Sequence, residues 1–370
     1  MRKTTIHIHP GSDLDRHLKA NRANTRFILE PGHYHTGTGW AFDEEFDHCV
    51  LGTDCELIGA GSDKTWIHAS ISSIPVPPNA KQVEVFTAGS RSAVCLTTRI
   101  EGVGIACGGI GDVTSLELGT VGLHTWSDQA FIKDVAIYGV TGFRPDKEGF
   151  GVLVNRPGVS LDENLVGGSI IQDVTVSSSG GYVCGVYIGY TDPRVSSVAR
   201  NIIVNSWSKP SHAAFGTNGG VLWSNVQNTG RWNRAVFCDT DGGEGTIFSA
   251  SRLQAEDVIV EFRGATGTVW KDILVTDSIL QTTASLDRSD RTYAAALVLA
   301  RDGARPGPSF SNVGIQNCVI RATAPCNHFS GSIDSPGSDN GIFHSRLIGP
   351  WKPPVVVDGA VFREYGILKS

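Results

Sequence analysis

The segment KDILVTDSIL (271–280) decides the fold, because it aligns without gaps on SNVGIQNCVI (311–320), which begins 40 residues later. An Asp or Asn opens both segments at the second position, and apolar residues follow at every second position. Alternation with a period of two is typical of a β-strand with one buried face. A strand that recurs along the chain in the same form indicates a repeat architecture.

The same opening recurs four times upstream, in KDVAIYG at Asp134, QDVTVSS at Asp173, RNIIVNS at Asn201 and SNVQNTG at Asn225. Successive intervals are 39, 28, 24 and 47 residues, followed by 40 to Asn312. We interpret the interval of 47 as two repeats, with GTIFSASRLQ (245–254) as the intervening strand that has lost its Asp/Asn. A short polar side chain at strand entry bonds to nearby backbone and tolerates a tight turn. The Asp/Asn residues are therefore predicted to mark turns.

A second series of strands runs in step with the first, centred near residues 153, 187, 214, 237, 260 and 298. Its central intervals are 27, 23 and 23 residues. Parallel strands that rise ~3.3 Å per residue and stack ~4.8 Å apart close into a coil of about this length. The sequence therefore predicts an all-β fold, a single-stranded right-handed parallel β-helix of roughly 9 to 11 coils.

The residues before these coils predict a capped start. A short helix is expected in SDLDRHLKANR (12–22), followed by a strand and a Pro-Gly turn in ILEPGHY (28–34) and by LIGAGSDKTWI (57–67). Over residues 12–350 this order resembles the pectate-lyase-like β-helix proteins. The resemblance implies an N-terminal helix that caps the apolar end. We predict one domain over 1–370, with cap and leader at 1–48, coils at 49–350 and a C-terminal cap or tail at 351–370.

Composition excludes some functions. A net charge of -6 and a pI near 6.0 argue against a nucleic-acid partner, which needs a basic face. The N-terminal MRKTTIHIHPGSDLDRHL lacks the apolar run of a secretory signal, and no later stretch is apolar enough to span a membrane. We therefore expect no membrane partner and an unexported chain, with its localisation left open. The eight cysteines include no CxxC, which indicates buried structural thiols.

Candidate chemistry follows the second series of strands, where polar residues on successive coils become neighbours. Asp239 and Asp241 lie in CDTDGGEG (238–245), and Glu261 lies on the next coil. Two carboxylates of different pKa are what the breaking of a glycosidic bond requires. We predict these three acids as catalytic, with Arg234 and Arg263 binding anionic groups, although Asp and Gly also build ordinary surface turns.

The resemblance implies an oligo- or polysaccharide substrate and an enzyme that cleaves or rearranges glycosidic bonds. None of the catalytic signatures of the best-known families of this fold is found in the sequence. An alternative is a uronate lyase, with Lys147 of GFRPDKEGFG (142–151) or an arginine as the base. No cofactor is predicted for the hydrolase or transferase, whereas a lyase could use either arginine or Ca²⁺ to neutralise the carboxylate. The other alternative is a non-catalytic glycan-binding or tailspike-like attachment module, and trimers are common in such proteins.

Further residues are predicted to bind substrate, each with packing or solvation as the competing interpretation. Aromatic faces stack on sugar rings, so Trp232 and Tyr190 are candidates, along with the cations Lys147 and Arg301. His124 and His212 are candidate acids or bases because histidine titrates near neutral pH, although a lone His near a strand is more often structural.

Overall fold

The computed structural model describes most of the chain, and the bounds of the described parts are as follows: residues 3–21, 23–37, 39–41, 50–70, 80–89, 94–107, 117–155, 168–189, 196–238, 242–265, 267–283, 295–301, 307–332, 339–357 and 363–370. The chain divides into two compact units. The first comprises Met1–Gly189 and Ile202–Ser211, and the second comprises Tyr190–Asn201 and His212–Ser370. The prediction of a single domain with the boundaries given above stays a prediction.

Strands account for nearly all regular structure in both units. The first unit contains β1 (Thr4–Ile8), β2 (Thr25–Leu29), β3 (Gly32–Gly37), β4 (Gly39–Ala41), β5 (Val50–Leu51), β6 (Glu56–Ile58), β7 (Thr65–Ser70), β8 (Gln82–Gly89), β9 (Thr97–Ala106), β10 (Gly119–Trp126), β11 (Gln129–Thr141), β12 (Gly149–Asn155) and β13 (Ile170–Ile188). Residues of β14 (Ser197–Thr217) belong to both units.

The second unit has shorter strands and more of them. They are β15 (Val221–Cys238), β16 (Gly243–Glu244), β17 (Ile247–Ser249), β18 (Arg252–Ala255), β19 (Val258–Gly264), β20 (Val269–Thr276), β21 (Ile279–Thr282), β22 (Ala295–Arg301), β23 (Ser309–Gln316), β24 (Val319–Ala322), β25 (Cys326–Ser332), β26 (Gly341–Phe343), β27 (Arg346–Ile348), β28 (Trp351–Lys352), β29 (Val355–Val357), β30 (Arg363–Tyr365) and β31 (Leu368–Lys369).

Strands of successive coils pair in parallel, and the core consists of stacked apolar side chains. In the first unit one such stack contains Phe27, Leu57, Ile100, Ile132 and Ile171, all buried. In the second unit β20 pairs with β23 and β21 with β24 in the register that the gap-free alignment predicts. An antiparallel pairing of β4 with β8 departs from this pattern. The predicted parallel β-helix is thereby confirmed.

The predicted cap helix is α1 (Leu14–Ala20). The Asp13 side chain accepts a hydrogen bond from the Arg16 N–H at 3.0 Å, which satisfies one of the free backbone donors at the helix start. Leu14 and Leu18 lie one turn apart on the same face, and both are buried. One 3₁₀ turn, Pro145–Lys147, is also present. No helix in the described parts of the chain is long and apolar enough to cross a membrane.

The recurrent Asp/Asn residues mark bends, as predicted. The backbone φ of all six lies between 50 and 56°, in the left-handed region that Asn and Asp tolerate better than other non-glycine residues. Their side chains also bond between coils. The Asn225 amide donates to Asn201 Oδ1 at 2.9 Å, and the Asn312 amide donates to Asp272 Oδ1 at 2.8 Å.

One part of the repeat assignment is wrong. Ser224 pairs with Ser249, and Ser249 pairs with Thr276. Asp277 therefore occupies the position equivalent to Asn225 two coils later, whereas the sequence interpretation assigned Asp272 to it. Asp272 and Asn312 form a separate, earlier bend in their coils. Both bends need a residue in the left-handed conformation, so both favour Asp or Asn. The two series of bends are therefore hard to distinguish in the sequence. The intervening strand that lost its Asp/Asn has Ala250 at this bend, with a φ of 48°.

Candidate functional site

The polar residues of β15 and β19 in the second unit form a buried ionic cluster. Arg234 pairs in register with Val258, and Phe237 with Glu261. Val260 and Phe262 point into the core, so alternation turns Glu261 and Arg263 to the opposite side of β19. The predicted acid and the two predicted anion-binding arginines are thus brought together, as the sequence predicts for neighbouring coils.

Glu261 holds both arginines. Its Oε2 accepts the Nε–H of Arg234, and its Oε1 accepts the Nε–H of Arg263. The exposed fraction of the side chain is 1% for Glu261, 14% for Arg234 and 29% for Arg263. The carboxylate therefore lies beneath the two guanidiniums, and the cluster carries more positive than negative charge where it meets solvent.

An aromatic ring fixes the arginines from a second side. The guanidinium carbons of Arg234 and Arg263 lie 4.8 and 5.5 Å from the centre of the Phe237 ring, within the range of cation–π attraction. His212 meets the same ring edge to face at 4.8 Å, and its Nδ1 lies 3.5 Å from Arg234 Nη1. Together these contacts hold two cations side by side, an arrangement that suits a carboxylate, phosphate or sulfate group.

Other predicted site residues lie outside this cluster. Trp232 is fully buried, and its indole N–H donates to the Thr229 carbonyl at 2.8 Å, so its ring has no open face for a sugar. Lys147 ends the 3₁₀ turn of the first unit and is half-buried. Asp239, Asp241 and Tyr190 lie outside the described residues, and Arg301 is described only as the last residue of β22. The predicted carboxylate pair therefore stays a prediction.

A second polar network lies in the first unit, and the sequence analysis singled out only one of its members, His124. It lies on β8, β10 and β12, where Thr87, His124 and Leu153 share one register. His124 Nδ1 lies 2.7 Å from Glu84 Oε1, and the Asn155 amide nitrogen lies 3.0 Å from His124 Nε2. With that amide donating, the proton resides on Nδ1 and is donated to Glu84.

This network is enclosed. Glu84, Thr87 and His124 are each 3% exposed, and the Trp126 ring packs on the imidazole at 4.6 Å. The sequence signal was available in QVEVFTAG (82–89), where an acid interrupts a strand that is otherwise almost entirely apolar or small. Burial favours a structural role, since every polar group contributes to a satisfied network. In the described parts of the chain, no three His, Cys, Asp or Glu side chains are placed to hold a metal ion.

Comparisons with known proteins define the fold. No family model matches the chain. No curated protein matches it at a significant level. Among solved structures, the A-module of mannuronan C-5 epimerase AlgE6 from Azotobacter vinelandii is similar over 97% of this chain and 96% of that one, with 11% identity and a TM-score of 0.51. A hyperthermoactive exopolygalacturonase from Thermotoga maritima is similar over 99% and 92%, with 9% identity and a TM-score of 0.60.

The chain has the pectate-lyase-like parallel β-helix fold. TM-scores of 0.51 and 0.60 establish a common fold, whereas identities of 9 and 11% carry no inference about a common reaction, because one fold hosts many activities. The resemblance inferred from the sequence is confirmed at that level.

Proposed function

We propose that this chain is a carbohydrate-active enzyme that binds an acidic polysaccharide on the outward side of β15 and β19 and cleaves or rearranges its glycosidic bonds. The observation that carries the proposal is the pair of guanidiniums, Arg234 and Arg263, held together by one buried carboxylate. A uronate carboxylate is a planar anion that two such guanidiniums can bind. Both similar structures, a mannuronan epimerase and an exopolygalacturonase, are enzymes named for acidic polysaccharides.

Burial gives Glu261 a role different from the catalytic one predicted for it. Glu261 contacts Arg234 and Arg263 and is 1% exposed, so we propose that it positions the arginines and does not itself contact the sugar. Asp239 and Asp241 directly follow β15, the strand that carries Arg234, and we keep them as the proposed proton donor and its partner carboxylate. In this scheme the arginines orient the uronate, and the aspartates act on the glycosidic bond.

The same arginine pair favours β-elimination as a second candidate. Neutralising a uronate carboxylate makes the proton on the adjacent carbon easier to remove, and a neighbouring base then takes it. Such a lyase leaves an unsaturated sugar that absorbs in the ultraviolet, whereas hydrolysis leaves reducing ends without that absorbance. A binding module gives neither product.

The test combines a substrate panel with a matched pair of variants. Acidic polysaccharides and their carboxyl-reduced counterparts are incubated with the protein, and products are followed by mass, reducing ends and ultraviolet absorbance. Arg263→Gln leaves Glu261 paired with Arg234, and we expect it to raise KM for the acidic polymer about tenfold or more, the loss of a charged hydrogen bond. Asp239→Asn and Asp241→Asn are expected to abolish turnover while binding remains.

The control variant is Arg231→Gln. Arg231 lies on the same strand, and its exposed side chain pairs with Glu256 at 2.7 Å outside the cluster, so KM should not change. If Arg263→Gln raises KM equally for acidic and carboxyl-reduced polymers, Arg263 does not bind a carboxylate. If no polymer in the panel is altered, the chain is not the enzyme proposed.

A further inference from the structure

Five ring side chains form an exposed strip on the first unit. The aromatic strip, as we call it, consists of His33 and His35 on β3, Trp66 and His68 on β7, and Tyr138 on β11. Register places them in two adjacent rows that run across the strands. One row is His33, Trp66, Gly104 and Ala136, and the other is His35, His68, Ala106 and Tyr138.

Small residues at the centre of the strip make room for the large rings. A Cβ added at Gly104 would lie 2.6 Å from Trp66 Cε3, so the six-membered ring of the indole packs directly against this glycine. The ring then reaches across β9 and comes within 5.4 Å of Tyr138, which is 43% exposed. Gly104, Ala106 and Ala136 are thus the small members of the two rows, beside the large rings.

Three imidazoles continue the strip at its other end. His68 stacks on His35 with ring centres 5.4 Å apart, and its Nε2 lies 2.7 Å from His33 Nδ1. The pKa of His68 is lowered by burial and further by the proximity of His33 and His35, so its neutral form is favoured. Neutral imidazoles offer both donors and acceptors. They do not converge on one point as three metal ligands would.

The strip is held in place before any ligand binds. The Trp66 indole N–H donates to the Asp63 carbonyl at 3.3 Å. The turn that carries Asp63 is tied to β11, because the Ser62 hydroxyl donates to Asp134 Oδ1 at 2.7 Å and its N–H to Oδ2 at 3.3 Å. Rings fixed in this way lose little conformational entropy on binding.

We infer that the aromatic strip is a binding site for an uncharged saccharide chain, whose rings stack on Trp66 and Tyr138 and whose hydroxyls bond to the imidazoles. None of the register positions of the strip, all among the described residues, carries a permanently charged side chain. Flat rings with polar edges match the apolar faces and hydroxyl rims of sugars. The choice of a saccharide rests on the proposed function, but the strip lies on strands separate from the arginine cluster.

Binding is measured by titration calorimetry with oligosaccharides of glucose, mannose, galactose and xylose, at a pH above 7. Wild type should bind one of these series. Tyr138→Ala and Trp66→Ala should each weaken that binding about tenfold, which corresponds to ~1.4 kcal/mol, the upper part of the range for an aromatic stacking contact. Trp207→Ala is the matched control, because Trp207 is 63% exposed and lies outside the strip. Tyr138→Ala removes an exposed ring, so the fold should be retained.

Two further variants separate this inference from the proposed function. Arg263→Gln should leave neutral-sugar binding unchanged even where it impairs turnover of acidic polymers. The inference fails if wild type binds no neutral series, or if the two strip variants bind like Trp207→Ala. It also fails if no sugar binds and the strip variants instead abolish self-association of the protein. The same holds if no sugar binds and the wild type binds Zn²⁺ in a way that His68→Gln abolishes.

Discussion

Glu261 and Glu244 show how strongly burial alters the role of one side chain. Both are glutamates that pair with a cation from a nearby strand, but Glu261 is 1% exposed and Glu244 is 46% exposed. Glu261 is removed from solvent and accepts two charge-assisted hydrogen bonds, whereas the exposed Glu244 pairs with an exposed Lys271 that also contacts Asp272. Only the ion pairs of Glu261 are expected to contribute substantially to the free energy of unfolding.

Glu261→Gln should lower the free energy of unfolding by about 3 kcal/mol, because two partly buried guanidiniums lose their counter-ion. Urea unfolding followed by circular dichroism measures it. Glu244→Gln serves as the paired variant and should change the same quantity by less than about 1 kcal/mol. Similar losses for the two variants would contradict the view that the buried contacts of Glu261 dominate.

At the scale of the element, the left-handed bends determine where each coil changes direction. Asn225, Ala250 and Asp277 occupy one bend in three successive coils, and only Ala250 lacks a side chain suited to it. A non-glycine residue in this conformation costs roughly 1 to 2 kcal/mol. Ala250 therefore destabilises its coil locally.

Ala250→Gly should raise the free energy of unfolding by about 0.5 to 1 kcal/mol, since the relief of left-handed strain exceeds the entropy that glycine loses on folding. Thermal or urea unfolding measures it. Ala265→Gly is the matched control at an exposed position that is not left-handed, and it should be neutral or destabilising. A loss of stability in Ala250→Gly would contradict the assigned bend.

The sequence predicts these elements better than it predicts the site. Alternation and the Asp/Asn openings were enough to predict the strands, the bends and the register of KDILVTDSIL on SNVGIQNCVI. These two signals are readable in the sequence because they reflect local backbone preferences. The separation of Asp272 from the bend of Asn225 could not be predicted, since both positions satisfy the same preference. Nor could the burial of Glu261, which depends on what covers the outward side of its strand, whereas packing was already the competing interpretation for Trp232.

At the scale of the whole molecule, buried cysteines are distributed along both units. Cys55, Cys95, Cys107 and Cys184 lie in the first unit, and Cys238, Cys318 and Cys326 in the second, and all are buried. Burial raises the pKa of Cys95 to about 11 and that of Cys107, Cys318 and Cys326 to about 12. At these four cysteines the thiolate that reacts with disulfide reagents is therefore scarce.

Labelling with a disulfide reagent at pH 8 should consequently report on unfolding. We expect the described cysteines to react many times more slowly in native buffer than in urea, with peptide mass analysis assigning each site. Ser370→Cys supplies an exposed thiol that should react at once. Rapid native labelling of Cys107 or Cys318 would contradict the buried positions described above.

The left-handed bends of the second unit also distinguish the regular coil from the residues inserted between its strands. From Asn225 through Ala250, Asp277 and Asn317 to His344, successive left-handed residues are 25, 27, 40 and 27 positions apart. The register of β21 on β24 is nevertheless the same as that of β18 on β21. One coil thus accommodates extra residues without disturbing its neighbours. For protein engineers, this tolerance means that a coil can be lengthened between two strands while the register of the strands on either side of it is retained.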